Sequence, residues 1–96
     1  MLIIEYDFAK NSSNLEKHGV SFDIAFQLDW KTALYWIDLR KDYGEMRSCA
    51  LALRDERLFF VAYVDRGRYR RVITLRKANK REWWFQVRSA TRFKDW

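Results

Sequence analysis

Ninety-six residues with 49% hydrophobic and 18% aromatic side chains are enough for one domain with one core, too few for two, and too apolar for a disordered chain. The longest apolar run, residues 58–64, falls far short of the roughly 20 residues of a membrane span, residues 1–5 do not read as a secretion signal, and the single Cys49 fits a reducing compartment; these features predict a cytoplasmic protein with no membrane segment. The formal charge of +6 is unevenly spread: residues 1–65 hold eight Lys/Arg against eleven Asp/Glu, whereas residues 66–96 hold eleven against two.

In chain order, residues 2–6 are a short β-prone start. Asp7 can cap a helix over residues 8–18, which Gly19 ends. That helix is polar, with Phe8 and Leu15 as its expected anchors. Ser21 caps a second short helix, in which Phe22, Ala25 and Phe26 share a face. Four β-rich segments follow, at residues 34–37, 47–53, 57–64 and 69–75, joined by short polar or Gly-containing turns that predict an antiparallel meander. The third is apolar at both alternating sets of positions, as a central strand covered on both sides would be. Residues 77–92 lack Gly and Pro and predict a closing helix with Trp84, Val87 and Thr91 along one stripe. The expected architecture is α+β: an antiparallel sheet of about four to five strands, two short N-terminal helices and a C-terminal helix, in one domain over residues 1–96.

Between Arg66 and Arg81 lie Arg66, Arg68, Arg70, Arg71, Arg76, Lys77, Lys80 and Arg81 with no acid among them, a footprint for phosphate or for an acidic protein. In a regular strand Arg71 would share a face with Ile73 and Leu75, while Arg70 and Arg76 would point the other way with Val72 and Thr74. An arginine on an otherwise apolar face needs a partner or a cleft, so Arg71 reads as more than a surface charge. Planar guanidinium groups suit bidentate contact with phosphate and can stabilise charge that grows on a phosphorane.

His18, the only histidine, has two readings: a cation favoured by the dipole at a helix C-terminus, or a proton carrier in phosphodiester cleavage. Glu45, two residues before Arg47 and sharing a strand face with it, is a base, a partner that orients Arg47, or one half of an exposed ion pair. Trp83, Trp84 and Phe85 are consecutive and cannot all face inward on a helix; they divide between core, protein partner and base stacking. The chain has no P-loop, dinucleotide-binding glycine fingerprint, paired CxxC or nucleophile elbow, which excludes the common cofactor enzymes; no cofactor and no metal site are expected.

Three motifs in order resemble the BrnT family of toxins. Tyr6-Asp7 with Ala9-Lys10, Asn14 and Lys17-His18-Gly19-Val20-Ser21-Phe22 is similar to its opening motif, Tyr43-Gly44-Glu45-Met46-Arg47 to its central Glu-x-Arg, and the run from Arg71 through Arg76 and Ala78 to Glu82 to its closing motif. Thr74 stands where serine is common, Phe85 where tyrosine is frequent, and Phe8 where proline is usual. The resemblance implies a RelE-like fold, RNA cleavage that inhibits translation, and a BrnA-like antitoxin within a higher-order toxin–antitoxin complex. Arg76, Arg71, His18, Glu45 and Lys17 are then the expected catalytic groups. Arg66, Arg68, Arg70, Lys77, Lys80 and Arg81 are expected to bind RNA, and Trp83 and Trp84 to meet the partner. The alternative is a non-catalytic nucleic-acid-binding or protein-interaction domain that uses the same basic block.

Overall fold

A computed structural model describes residues 2–94. Eight elements follow one another: β1 (Ile3–Glu5), α1 (Phe8–His18), a 3-10 helix (Phe22–Gln27), β2 (Asp29–Ile37), β3 (Ser48–Arg54), β4 (Arg57–Arg66), β5 (Tyr69–Lys77) and α2 (Lys80–Lys94). The sheet order is β1-β5-β4-β3-β2. The last four strands form the expected meander, but β1 joins it parallel to β5, pairing Ile3–Glu5 with Tyr69–Arg71.

α1 starts and stops where the sequence predicts. The Asp7 carboxylate accepts from the Lys10 N–H, and Gly19 takes the left-handed conformation (φ 70°) while its N–H donates to the Leu15 carbonyl oxygen. The expected anchors, however, are exposed: Phe8 and Leu15 face solvent, and the one buried residue of α1 is Asn14. Ser21 caps the next element, which is a 3-10 turn rather than an α-helix; it buries Phe22 and Ala25 and leaves Phe26 exposed.

β4 is the centre of the sheet, with every residue from Leu58 to Val64 buried. On the first face, Phe59, Val61, Tyr63, Val72 and Leu75 pack under Val20, Phe22, Ala25 and Leu28. On the second, Cys49, Leu51, Leu58, Phe60 and Ala62 form a smaller cluster with Leu34, Leu53, Ile73 and Ala78. α2 begins three residues later than predicted, because β5 continues through Lys77 before the chain turns. Trp84 is 64% exposed, so the predicted stripe does not face the core there; the Thr91 side chain lies outside the described residues.

A bulge decides where the arginines of β5 point. Tyr63 pairs with Val72 and Ala62 with Thr74, which leaves Ile73 as an extra residue. Regular alternation would put Arg71 and Arg76 on opposite faces. The extra residue resets the alternation, so Arg71, opposite Val64, and Arg76, opposite Phe60, both fall on the second face, while Arg70, Val72 and Leu75 fall on the first. Arg71 therefore shares a face with Ile73 but not with Leu75.

Candidate nucleic-acid interface and active site

β1 pairs with β5 only as far as Arg71, so beyond that point β5 is an open edge. Asn14 of α1 covers it. Its amide donates to the Leu75 and Val20 carbonyl oxygens at 2.7 and 2.9 Å, and its Oδ1 accepts from the Leu75 N–H and the Thr74 hydroxyl, each at 3.2 Å. This fixes the last turn of α1 beside the end of β5 and brings His18 near Arg76. Burial lowers the His18 pKa below its ordinary 6.5, and the Lys17 and Arg76 cations lower it further. Desolvation and the two neighbouring cations act against the helix dipole, which favours the charged imidazole. Lys17 is exposed beside it.

On the second face the Arg76 guanidinium stacks 4.2 Å from the Phe60 ring centroid and holds Glu82 of α2 through two parallel hydrogen bonds. Arg71 meets Glu5 of β1 at 3.3 Å. Arg70 lies on the opposite face, where it is the buried arginine, 7% exposed. It is bound to both oxygens of Asp65 and packed against the rings of Tyr63 and Trp30 at 4.2 and 4.6 Å. Arg71 thus has the partner that its place beside Ile73 calls for, and Arg70, on the other face, is the more deeply buried guanidinium.

The β2–β3 loop adds a cluster that sequence reasoning missed. Asp38, buried at the end of β2, accepts from Arg40 through both carboxylate oxygens and from the Tyr43 hydroxyl, each at 2.9 Å. The Arg40 hydrogen bond outweighs burial and holds the Asp38 carboxyl far below the usual carboxylate range. The Tyr43 ring lies 3.9 Å beneath the Arg47 guanidinium. Tyr43 and Arg47 belong to the central motif, but nothing local in the sequence points to Asp38 and Arg40 as their neighbours.

Glu45 sits in the loop before β3, not on the strand, and does not pair with Arg47. It binds Arg66 at 2.8 Å instead. Arg66 ends β4, six residues beyond Phe60, the partner of Arg76, so Glu45 stands about 20 Å along the sheet from the His18 end. The expected catalytic residues thus divide: Lys17, His18 and Arg76 lie together, Arg71 lies on the same face as Arg76, and Glu45 lies apart.

The remaining basic residues are spread along the molecule: Lys77, Lys80 and Arg81 follow Arg76, whereas Arg68 lies in the β4–β5 turn at the other end. Arg68, Lys77, Lys80 and Arg81 are exposed. Lys77 lines an open groove of about 560 Å³ with Gly19, Arg54, Arg57 and Phe59, and Arg81 borders a cleft of about 310 Å³ over Trp36 and Leu51. Trp83 and Trp84 are exposed, as a partner contact requires, and Trp83 lines a hollow with Leu58 and Ala78. Among the described residues no group of His, Cys, Asp and Glu could hold a metal ion, and no helix is long and apolar enough to cross a membrane.

A half-buried histidine kept neutral beside a lysine and an arginine, at the margin of a face carrying further arginines, suits RNA cleavage better than binding alone. The model of one family, described as the ribonuclease toxin BrnT of type II toxin–antitoxin systems, matches residues 6–82, which contain this whole arrangement. No curated protein matches the chain. The matched span covers most of the sequence and all three motifs, and favours the nuclease over the binding module. The chain belongs to the BrnT family of ribonuclease toxins of type II toxin–antitoxin systems.

Proposed function

We propose that this toxin cleaves RNA without a metal ion. His18, neutral at physiological pH, takes the proton of a ribose 2′-hydroxyl; the 2′-oxygen attacks the adjacent phosphorus; and the 5′-oxygen leaves with a proton supplied by Lys17. Arg76 and Arg71, on one face, neutralise the charge that builds on the phosphorane oxygens. Arg66, Arg68, Lys77, Lys80 and Arg81 guide the strand through its phosphates. Glu45 has no part in the proton path, because Arg66 holds it at the far end of the sheet. The observation that carries the reading is the placement of His18: the Asn14 bridge to Leu75 sets the last turn of α1, with Lys17 and His18, beside the end of β5 that carries Arg76.

As a family member the chain has RNA as substrate and an antitoxin as partner. The finer reading is a BrnA-like antitoxin whose acidic surface covers the basic block, with Trp83 and Trp84 as anchors, in a higher-order complex. The chain acts as a single domain in the cytoplasm.

Incubating the purified toxin with RNA, with and without EDTA, tests this. The expected products carry 2′,3′-cyclic phosphate and 5′-hydroxyl ends, and their yield is unchanged by the chelator. Cleavage that stops with EDTA and returns with Mg²⁺ overturns the metal-free mechanism.

A further inference from the structure

Arg40, Arg66, Arg70, Arg71 and Arg76 are each matched by a carboxylate. Arg47 is not, among the described residues. Its guanidinium lies against the Tyr43 ring, it is half-buried, and its Nε is buried with no hydrogen-bond acceptor. The Nε is sealed from any ligand, but the two terminal Nη groups are neither buried nor hydrogen-bonded among the described residues, so they are the donors that a phosphate can reach.

The surroundings keep Arg47 in place. The Tyr43 hydroxyl donates to Asp38, Asp38 grips Arg40, and the Asp38 backbone N–H donates to the Arg47 carbonyl oxygen at 2.8 Å, which extends the β2–β3 ladder by one rung. Alternation from Cys49 puts Arg47 on the second face. Arg76, stacked on Phe60, lies on the same face. Leu51 lies level with Arg76 across Phe60, four residues along β3 from Arg47, a separation of about 13 Å along the strand. Arg47 therefore stands apart from Arg76 along the face. Its geometry suits a second phosphate.

We propose that Arg47 is the receptor for an RNA phosphodiester flanking the bond that is cut, with Tyr43 as its positioning residue. The inference rests on the reading that cleavage takes place beside Arg76 and His18.

The test uses the full-length toxin, free of antitoxin, with a mixed-sequence RNA substrate and its 2′-O-methyl analogue for binding. In Arg47→Ala, KM rises about tenfold with kcat within about twofold of wild type, as loss of one charge-assisted phosphate contact requires. The slope of log affinity against log salt becomes shallower by about 0.7, one phosphate on a single strand. Arg47→Lys keeps the slope but binds less tightly, because an ammonium does not stack as a guanidinium does. Tyr43→Ala raises KM in the wild-type background and adds nothing to Arg47→Ala, which a merely structural role would not produce.

Unchanged KM and salt slope in a folded Arg47→Ala variant, with Arg76→Ala inactive, overturn this inference alone. The same holds if Arg47→Ala leaves RNA binding intact and weakens only antitoxin binding. Absence of cleavage by the wild-type toxin, or full cleavage by Arg76→Ala, removes the underlying reading and this inference with it.

Discussion

The Arg76 guanidinium meets the Glu82 carboxylate edge to edge, Nη1 to Oε1 at 2.8 Å and Nη2 to Oε2 at 2.9 Å. Glu82 is also half of a capping box: its Oε1 accepts from the Asn79 N–H at 2.9 Å, and its own N–H donates to Asn79 Oδ1 at 2.8 Å. One carboxylate thus starts α2 and ties it to the arginine proposed to stabilise the transition state.

Removing either partner therefore has different consequences. Arg76→Ala leaves the capping box intact and is expected to abolish RNA cleavage and growth arrest while the protein still folds. Glu82→Ala loses both the cap and the ion pair and costs about 1–2 kcal/mol of stability, yet leaves a competent arginine. Denaturation and cleavage assays on both variants check this; full activity in Arg76→Ala would sink the catalytic assignment.

His18 makes the pH dependence specific. Its folded pKa is depressed below 6.5 by burial first, then by Lys17 and Arg76. As a general base it works unprotonated, so the acid limb of kcat/KM against pH has an apparent pKa below 6.5 and disappears in His18→Gln along with most of the rate. The same shift enters folding. Between the folded value and 6.5 the unfolded chain binds a proton that the folded chain does not, so stability rises with pH across that window and gains nothing more from this group above it. An acid limb unchanged in His18→Gln would assign the proton transfer elsewhere.

Asn14 is predicted to be the most sensitive polar residue of the N-terminal half. Replacing it with Ala strands the N–H and carbonyl of Leu75 and the Val20 carbonyl, groups that Asn14 alone joins to α1. At about 1–3 kcal/mol for a buried group left unsatisfied, a total loss of about 3 kcal/mol is expected. Urea unfolding measures it; a loss below about 1 kcal/mol would mean that water replaces the amide.

Much of this architecture is legible in the sequence because local chemistry sets it. Asp7 and Gly19 bound α1, and the two-sided apolar pattern of residues 58–64 marks the central strand. What is not legible depends on partners distant in the chain. The parallel pairing of β1 with β5 leaves no local signal, and neither does the extra residue at Ile73, although that one residue brings Arg71 and Arg76 to one face and sends Arg70 to the other. The late start of α2 has the same origin, since β5 continues to Lys77 opposite Phe59. The reach of Asn14 to Leu75 and the isolation of Arg47 are tertiary facts, visible only once the chain is folded.

Arg70 and Asp65 provide an asymmetry that separates a buried cation from a surface pair. The Arg70 side chain is 9% exposed and that of Asp65 42%, with Nε and Nη2 on the two carboxylate oxygens at 2.8 and 2.9 Å. Arg70→Met removes the charge and keeps an apolar chain against Trp30 and Tyr63, leaving a carboxylate that water can reach; the expected cost is about 1 kcal/mol. Asp65→Ala leaves the guanidinium buried among rings with its strongest acceptor gone, and the expected cost is about 3 kcal/mol. Chemical denaturation of the two variants should rank them in that order. Equal losses, or a greater loss in Arg70→Met, would show that stacking on Trp30 and Tyr63 rather than the Asp65 carboxylate accounts for most of what Arg70 contributes.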